Sequence, residues 1–123
     1  MSARTALTLA SLLMALAVGA GAFGVHALKS RLGADMLQVW QTAVQYHAWH
    51  ALGLIAVGLM ALHAPHRPGL ALAGWLFVAG IVLFCGSLYA LALSGVRALG
   101  AITPLGGGAF LLGWLALAWA AAH

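Results

Sequence analysis

The chain has 123 residues, 65% of them apolar and 5% charged, whereas soluble domains average about 45–50% apolar and about 25% charged, which excludes an ordinary water-soluble globule. Five Lys and Arg against the single Asp35 give a net charge of +4, but they are scattered one or two per connection, which excludes a basic patch able to grip nucleic acid. Cys85 stands alone, so neither an internal disulfide nor a Cys-based zinc site is possible within one chain.

A hydrocarbon layer about 30 Å thick takes about 20 helical residues, so four spans fill about 80 positions and leave about 40 for ends and connections. The chain is therefore expected to be an all-α integral membrane protein, a single compact four-transmembrane-helix bundle over residues 1–123. The first span covers 5–28. Its small-residue stretch Gly19-Ala20-Gly21-Ala22 imitates a signal-peptide end, but the apolar run continues past it, so an uncleaved first helix is expected. Lys29 and Arg31 suit the negative end of that helix, and Gly33 offers a stop.

The second helix reads without a breaker from Asp35 to Leu62. Its start (Met36 to Gln41) is amphipathic and suits the headgroup layer, so the membrane span proper is placed at 43–62. Pro65 and Pro68 break the chain, and Pro68 can open the third helix at its first position, giving a span at 70–93 ended by Ser94-Gly95. The fourth begins either at Leu99 with a kink or at Pro104 with Thr103 as its cap. The second reading is preferred, with a span at 104–122 and residues 96–102 as a re-entrant apolar lip. Lys and Arg are nearly level between the two sides and set no orientation.

Trp40 and Trp49 are read as markers of one membrane interface, Trp75 and Trp119 of the other. Small residues recur on every span. Gly21, Gly24, Gly53, Gly86, Gly106 and Gly107 are the candidate helix-packing positions, serving either close contact within the chain or a seam between copies.

Ionisable groups at membrane depth are costly, and here they gather toward one side: His26, Tyr46, His47, His50 and Arg97. His47 and His50 are three apart, so they lie on one helical face. His26 is expected to reach His50 across the first hairpin, and Arg97 to face the same side. Three readings stay open for this cluster: neutral histidines that tie helices together, a haem held axially by His26 and His50, and a proton or solute path. No dedicated metal site is expected, because Asp35 is the only carboxylate. No G-x-S-x-G or H-E-x-x-H string occurs, so an enzyme is not expected.

The strings Gly21-Ala22-Phe23-Gly24-Val25-His26-Ala27-Leu28, Trp40-Gln41-Thr42-Ala43-Val44-Gln45-Tyr46-His47 and His50-Ala51-Leu52-Gly53-Leu54, with Gly86-Ser87-Leu88-Tyr89 and Leu99 to Gly107 in the second half, resemble the YgdD-like family of small four-span membrane proteins. That resemblance implies a multi-pass protein of the bacterial inner membrane, with a relative in animal mitochondria, and carries no activity or ligand. The expected function is non-enzymatic, with no cofactor: association in the lipid bilayer, with itself or as an accessory subunit of a larger membrane complex. The alternative is a haem-binding or conducting protein built on the His/Arg cluster.

Overall fold

Ser2 opens the first helix, its hydroxyl accepting the Thr5 N–H at 3.1 Å, which satisfies one of the donors that a helix start leaves free. From there α1 (Ala3–Leu28) runs through Ala- and Leu-rich sequence, and its last turn, Gly24–Leu28, widens to π geometry. The computed structural model describes residues 1–123 and contains helices and turns without a strand. α2 (Ala34–His63) is an unbroken 30-residue helix with Asp35 in its first turn, where a carboxylate complements the positive end of the dipole.

α3 (Leu70–Ser94) contains a second π turn at Ile81–Cys85 and stops at Gly95, whose φ of 72° is the left-handed conformation common just past helix ends. A 3-10 turn, Arg97–Ala101, leads into α4 (Thr103–Ala122).

Two helix starts differ from the sequence reading. Pro68 lies in the turn before α3, and Gly69, with φ 82°, is the residue that caps it. Thr103 is already helical and does not cap α4. The preceding 3-10 turn delivers Ile102 in helical conformation, and the Thr103 hydroxyl is engaged elsewhere. The stretch expected to form a re-entrant lip is this exposed 3-10 turn.

Three helical runs, Ala3–Leu28, Leu70–Ser94 and Arg97–Ala122, are long and apolar enough to cross a membrane. α2 is more polar along its length, yet it supplies ten of the 29 buried residues. It is the inner helix. α1 lies antiparallel along α2, α4 lies along α3, and α2 packs on α3, so two hairpins make the fold while no packed interface joins α1 to α4.

Glycine sets each of these contacts. On the α1–α2 face, a Cβ on Gly58 would come within 2.7 Å of Leu7, and one on Gly24 within 2.8 Å of Trp40; at Gly21 the nearest atom, on Val44, is 3.3 Å away. Between α2 and α3, Gly53 lies under Phe77 (3.0 Å). Between α3 and α4, Gly80 lies under Phe110, Gly113 under Phe77, and Gly106 meets the backbone of Phe84 itself.

Of the six candidate packing glycines, four therefore lie at tight contacts. Gly86 and Gly107 do not, since their nearest neighbours stand at 4.0 and 3.8 Å. The faces bearing these four glycines are thus occupied within the chain, where close backbone approach yields dispersion contact that lipid cannot supply.

The contrast between adjacent glycines is directly testable. Gly106→Ala should destabilise the protein by about 1–3 kcal/mol, because backbone cannot move aside as a side chain can. Gly107→Ala should be neutral, or stabilising by up to about 1 kcal/mol through helix propensity. Thermal unfolding in detergent, followed by circular dichroism, separates the two.

Candidate functional site

Two polar residues of α2, His47 and His50, are buried within the bundle. His47 and His50 retain 4% and 5% of their exposure, and their rings diverge to different neighbours. The His47 Nδ1 pairs with the Tyr89 hydroxyl of α3 at 2.9 Å. Its Nε2 is buried without a hydrogen-bond partner. Tyr89 also packs at a tilt against Trp40, ring centroids 4.7 Å apart.

Trp40, read from sequence as an interface marker, is 6% exposed, and its indole N–H donates to the Ala20 carbonyl at 2.8 Å. Gly24 makes this possible, since any side chain there would collide with the indole. A single lock therefore joins α1, α2 and α3 next to the π turn, a helix irregularity frequent at functional sites.

His50 faces the other way, toward α4. A carbonyl oxygen only accepts, so the 2.6 Å contact between His50 Nδ1 and the Tyr46 carbonyl is an N–H donation, which places the proton on Nδ1. The ring stacks on Phe110 at 3.5 Å with an interplanar angle of 11°. Tyr46 lies against Phe84 at 4.6 Å, and Phe77 against Trp114 at 4.8 Å.

Between α2 and α4, the rings of Tyr46, His50, Phe84, Phe110 and Trp114 border a cleft of 630 Å³. Trp49 and Trp114 stand at its rim, and Gly107 and Gly108 lie along its α4 wall. Beside it, the Ser87 hydroxyl donates to the Phe84 carbonyl at 3.0 Å, so the Thr103 hydroxyl is the donor in the 2.7 Å Ser87–Thr103 pair.

His26 and Arg97 do not join this arrangement. His26 lies exposed on the π turn of α1 and makes no ring contact with His50, whose aromatic neighbours are Tyr46, Phe77, Phe110 and Trp114. The structure does not bring the His26 and His50 rings into contact across the first hairpin, where the sequence reading expects them to meet. Arg97 is exposed on the 3-10 turn and hydrogen-bonds neither histidine, which corrects the expectation that it faces them. The π turn explains the first difference. It leaves Gly24 and Leu28 as the buried positions of that last turn, and His26 falls between them on the outer side.

Sequence reasoning missed Tyr89, Phe77, Phe84, Phe110 and Trp114. A signal for them existed: Phe77 and Phe84 are seven apart, Phe110 and Trp114 four apart, and Tyr46, Trp49 and His50 fall within one turn, all spacings that stack side chains on one helical face.

The Ser87–Thr103 pair yields a double-mutant test. Ser87→Ala should cost about 0.5–1.5 kcal/mol, because the Thr103 hydroxyl then loses its partner. Ser87→Ala combined with Thr103→Val should cost less than the sum of the single substitutions. Unfolding midpoints of the four proteins in one detergent measure the coupling.

Residues 20–107 match the family model described as Protein of unknown function (DUF423). A UPF0382 membrane protein of Bacillus subtilis, YwdK, is 52% identical over 106 residues, covering 86% of each chain. A UPF0382 membrane protein of Staphylococcus saprophyticus is 48% identical, covering 83% of each chain. One from Staphylococcus haemolyticus is 46% identical, covering 89% of this chain and 88% of its own. No solved structure matches the chain. The matched segment contains the Gly24–Trp40 lock, both buried histidines and the Ser87–Thr103 pair. With a family model over most of its length and relatives near half identity, the chain belongs to the DUF423 family.

Proposed function

We propose that the chain is a four-span, multi-pass protein of the bacterial inner membrane that has no enzymatic activity and works by association, with copies of itself or as an accessory subunit of a membrane complex. The observation that carries this reading is the distribution of surfaces. Large apolar side chains line the outward faces of α1 (Leu12, Leu16) and α4 (Leu111, Leu112, Leu115), while His47 and His50 in the middle of α2 are turned inward and the exposed polar side chains Asp35, Gln38, Gln41 and Gln45 lie in its first half. Such an exterior suits lipid or another helix rather than water. As the inner helix of the bundle, α2 is the fourth span, long enough at 30 residues to cross with turns to spare. The relatives carry the name membrane protein and come from bacteria.

Against enzymatic work stands the side-chain inventory. The one carboxylate, Asp35, lies exposed at the start of α2 and hydrogen-bonds no histidine, and Cys85 is fully buried without a base beside it. A nucleophile needs a positioned base within hydrogen-bond reach.

Two measurements test the reading. In a Cys85→Ala background, single cysteines at Ser2 and His66 should react with a membrane-impermeant thiol reagent from one side, and cysteines at Ser30 and Gly95 from the other. Reaction of Ser30→Cys from the same side as Ser2→Cys would remove the four-span topology. Native mass spectrometry from mild detergent should then give an integer oligomer or a stoichiometric protein partner. A bare monomer that brings no partner from native membranes contradicts association.

A further inference from the structure

We propose that the α2–α4 cleft is a binding site for a neutral, membrane-soluble molecule whose head is a flat hydroxylated ring, of the phenol or hydroquinone class, carried on an apolar tail. Three features of the cleft lead there. The first is the hydrogen-bonding state of His50. Its Nδ1 proton is spent on the Tyr46 carbonyl, so Nε2 carries a lone pair, and no protein group donates to it. The His50 ring is 5% exposed and borders the cleft. Among buried side-chain nitrogens and oxygens, His47 Nε2 is the one closed off without a partner, so the free nitrogen of His50 is open to the cleft. A buried acceptor of fixed tautomer asks for a donor, and leaving it unpaired is costly.

The second is the shape and chemistry of the walls. Phe110 lies parallel to His50 and Tyr46 nearly so, with interplanar angles of 11° in both cases, and Phe84 closes the end. The Tyr46, His50 and Phe110 rings, already stacked on one another, give the cleft an aromatic wall, which favours a flat aromatic guest lying against it. No Lys, Arg or Asp borders the cleft, which disfavours charged headgroups. The rim carries Trp49, Trp114 and Leu111, 48%, 44% and 68% exposed on the apolar exterior, so a tail leaves toward lipid. The direction of the tail rests on the four-span reading above, whereas recognition of the ring does not.

The third is Gly107 and Gly108. Every other glycine on the buried face of α4 is needed for packing, but a Cβ at Gly108 would meet nothing within 4 Å, and one at Gly107 would make only ordinary contact with the Phe84 ring. Two further glycines beside Gly106 weaken a helix without tightening it. What they preserve is the open space of the cleft.

The experiment uses the full chain in detergent, labelled with ¹⁵N-histidine, and titrates three probes: 4-decylphenol, 4-decylanisole, and decanol. The His50 Nε2 resonance, identified as the one missing in His50→Phe, should move saturably with decylphenol. Decylanisole has the same ring without the donor, decanol has the donor without the ring, and each should bind about tenfold more weakly or worse. Gly108→Leu should fill the cleft and weaken decylphenol at least as much while the His50 resonance stays in place, which reports an intact fold. The proposal is overturned if anisole and phenol bind alike, if Gly108→Leu leaves the titration unchanged, or if no saturable shift occurs. None of these readouts depends on which side of a membrane the loops occupy, so failure here is distinct from failure of the topology.

Discussion

Close approach of helix backbones is the constraint on which the rest of this structure depends. Burying a leucine against another helix gains little when the alternative is a lipid tail, so packing must come from dispersion at short range and from a few hydrogen bonds. Glycine provides the range. Gly58 receives Leu7, Gly53 and Gly113 receive Phe77 from both sides, and Gly106 lets α4 touch the backbone of α3. With α1 held on α2 and α4 held on α3, the two hairpins join along α2 and α3, and α2 becomes the inner helix.

The polar groups follow from that position. An inner helix is where His47 and His50 can be buried, and each is tied differently: His47 to the Tyr89 hydroxyl, His50 to the carbonyl one turn back. Trp40 ties α2 to the Ala20 carbonyl, and Ser87 with Thr103 ties α3 to α4. These bonds lie at the contacts that glycine brings close, so hydrogen bonding and small-residue packing act on the same interfaces. At the opposite end, the Arg67 guanidinium donates to the Ala120 carbonyl at 3.2 Å, where a cation complements the negative end of α4.

Much of this was legible in the chain before any coordinates. Pro65, Gly95 and Pro104 punctuate the apolar runs, and the four helices fall within a few residues of where those breaks put them. The unbroken length of α2 was equally plain, because nothing between Asp35 and Leu62 interrupts it. The side-chain partners were not legible. Whether a histidine at membrane depth meets another histidine or an aromatic ring depends on helix rotation, and the π turn at Gly24–Leu28 changes that rotation without leaving a sequence mark. For the same reason His26 was paired in expectation with a residue it does not touch, and Trp40 was assigned to the surface although it is buried. The glycines were legible as a class, but Gly106 and Gly107 differ only in what stands opposite them.

The two-hairpin arrangement is the central claim, since the cleft between α2 and α4 exists only if α4 is held by α3. Intrachain disulfide formation in a Cys85→Ala background tests it most directly. The Gly113 Cβ position lies 3.4 Å from the Leu76 Cβ, and that of Gly58 3.3 Å from the Ala6 Cβ, close to the separation a disulfide spans. Leu76→Cys with Gly113→Cys, and Ala6→Cys with Gly58→Cys, should oxidise readily, while Leu16→Cys with Leu112→Cys on the outer faces of α1 and α4 should not cross-link within a chain. Efficient intrachain cross-linking of the outer pair would contradict the arrangement.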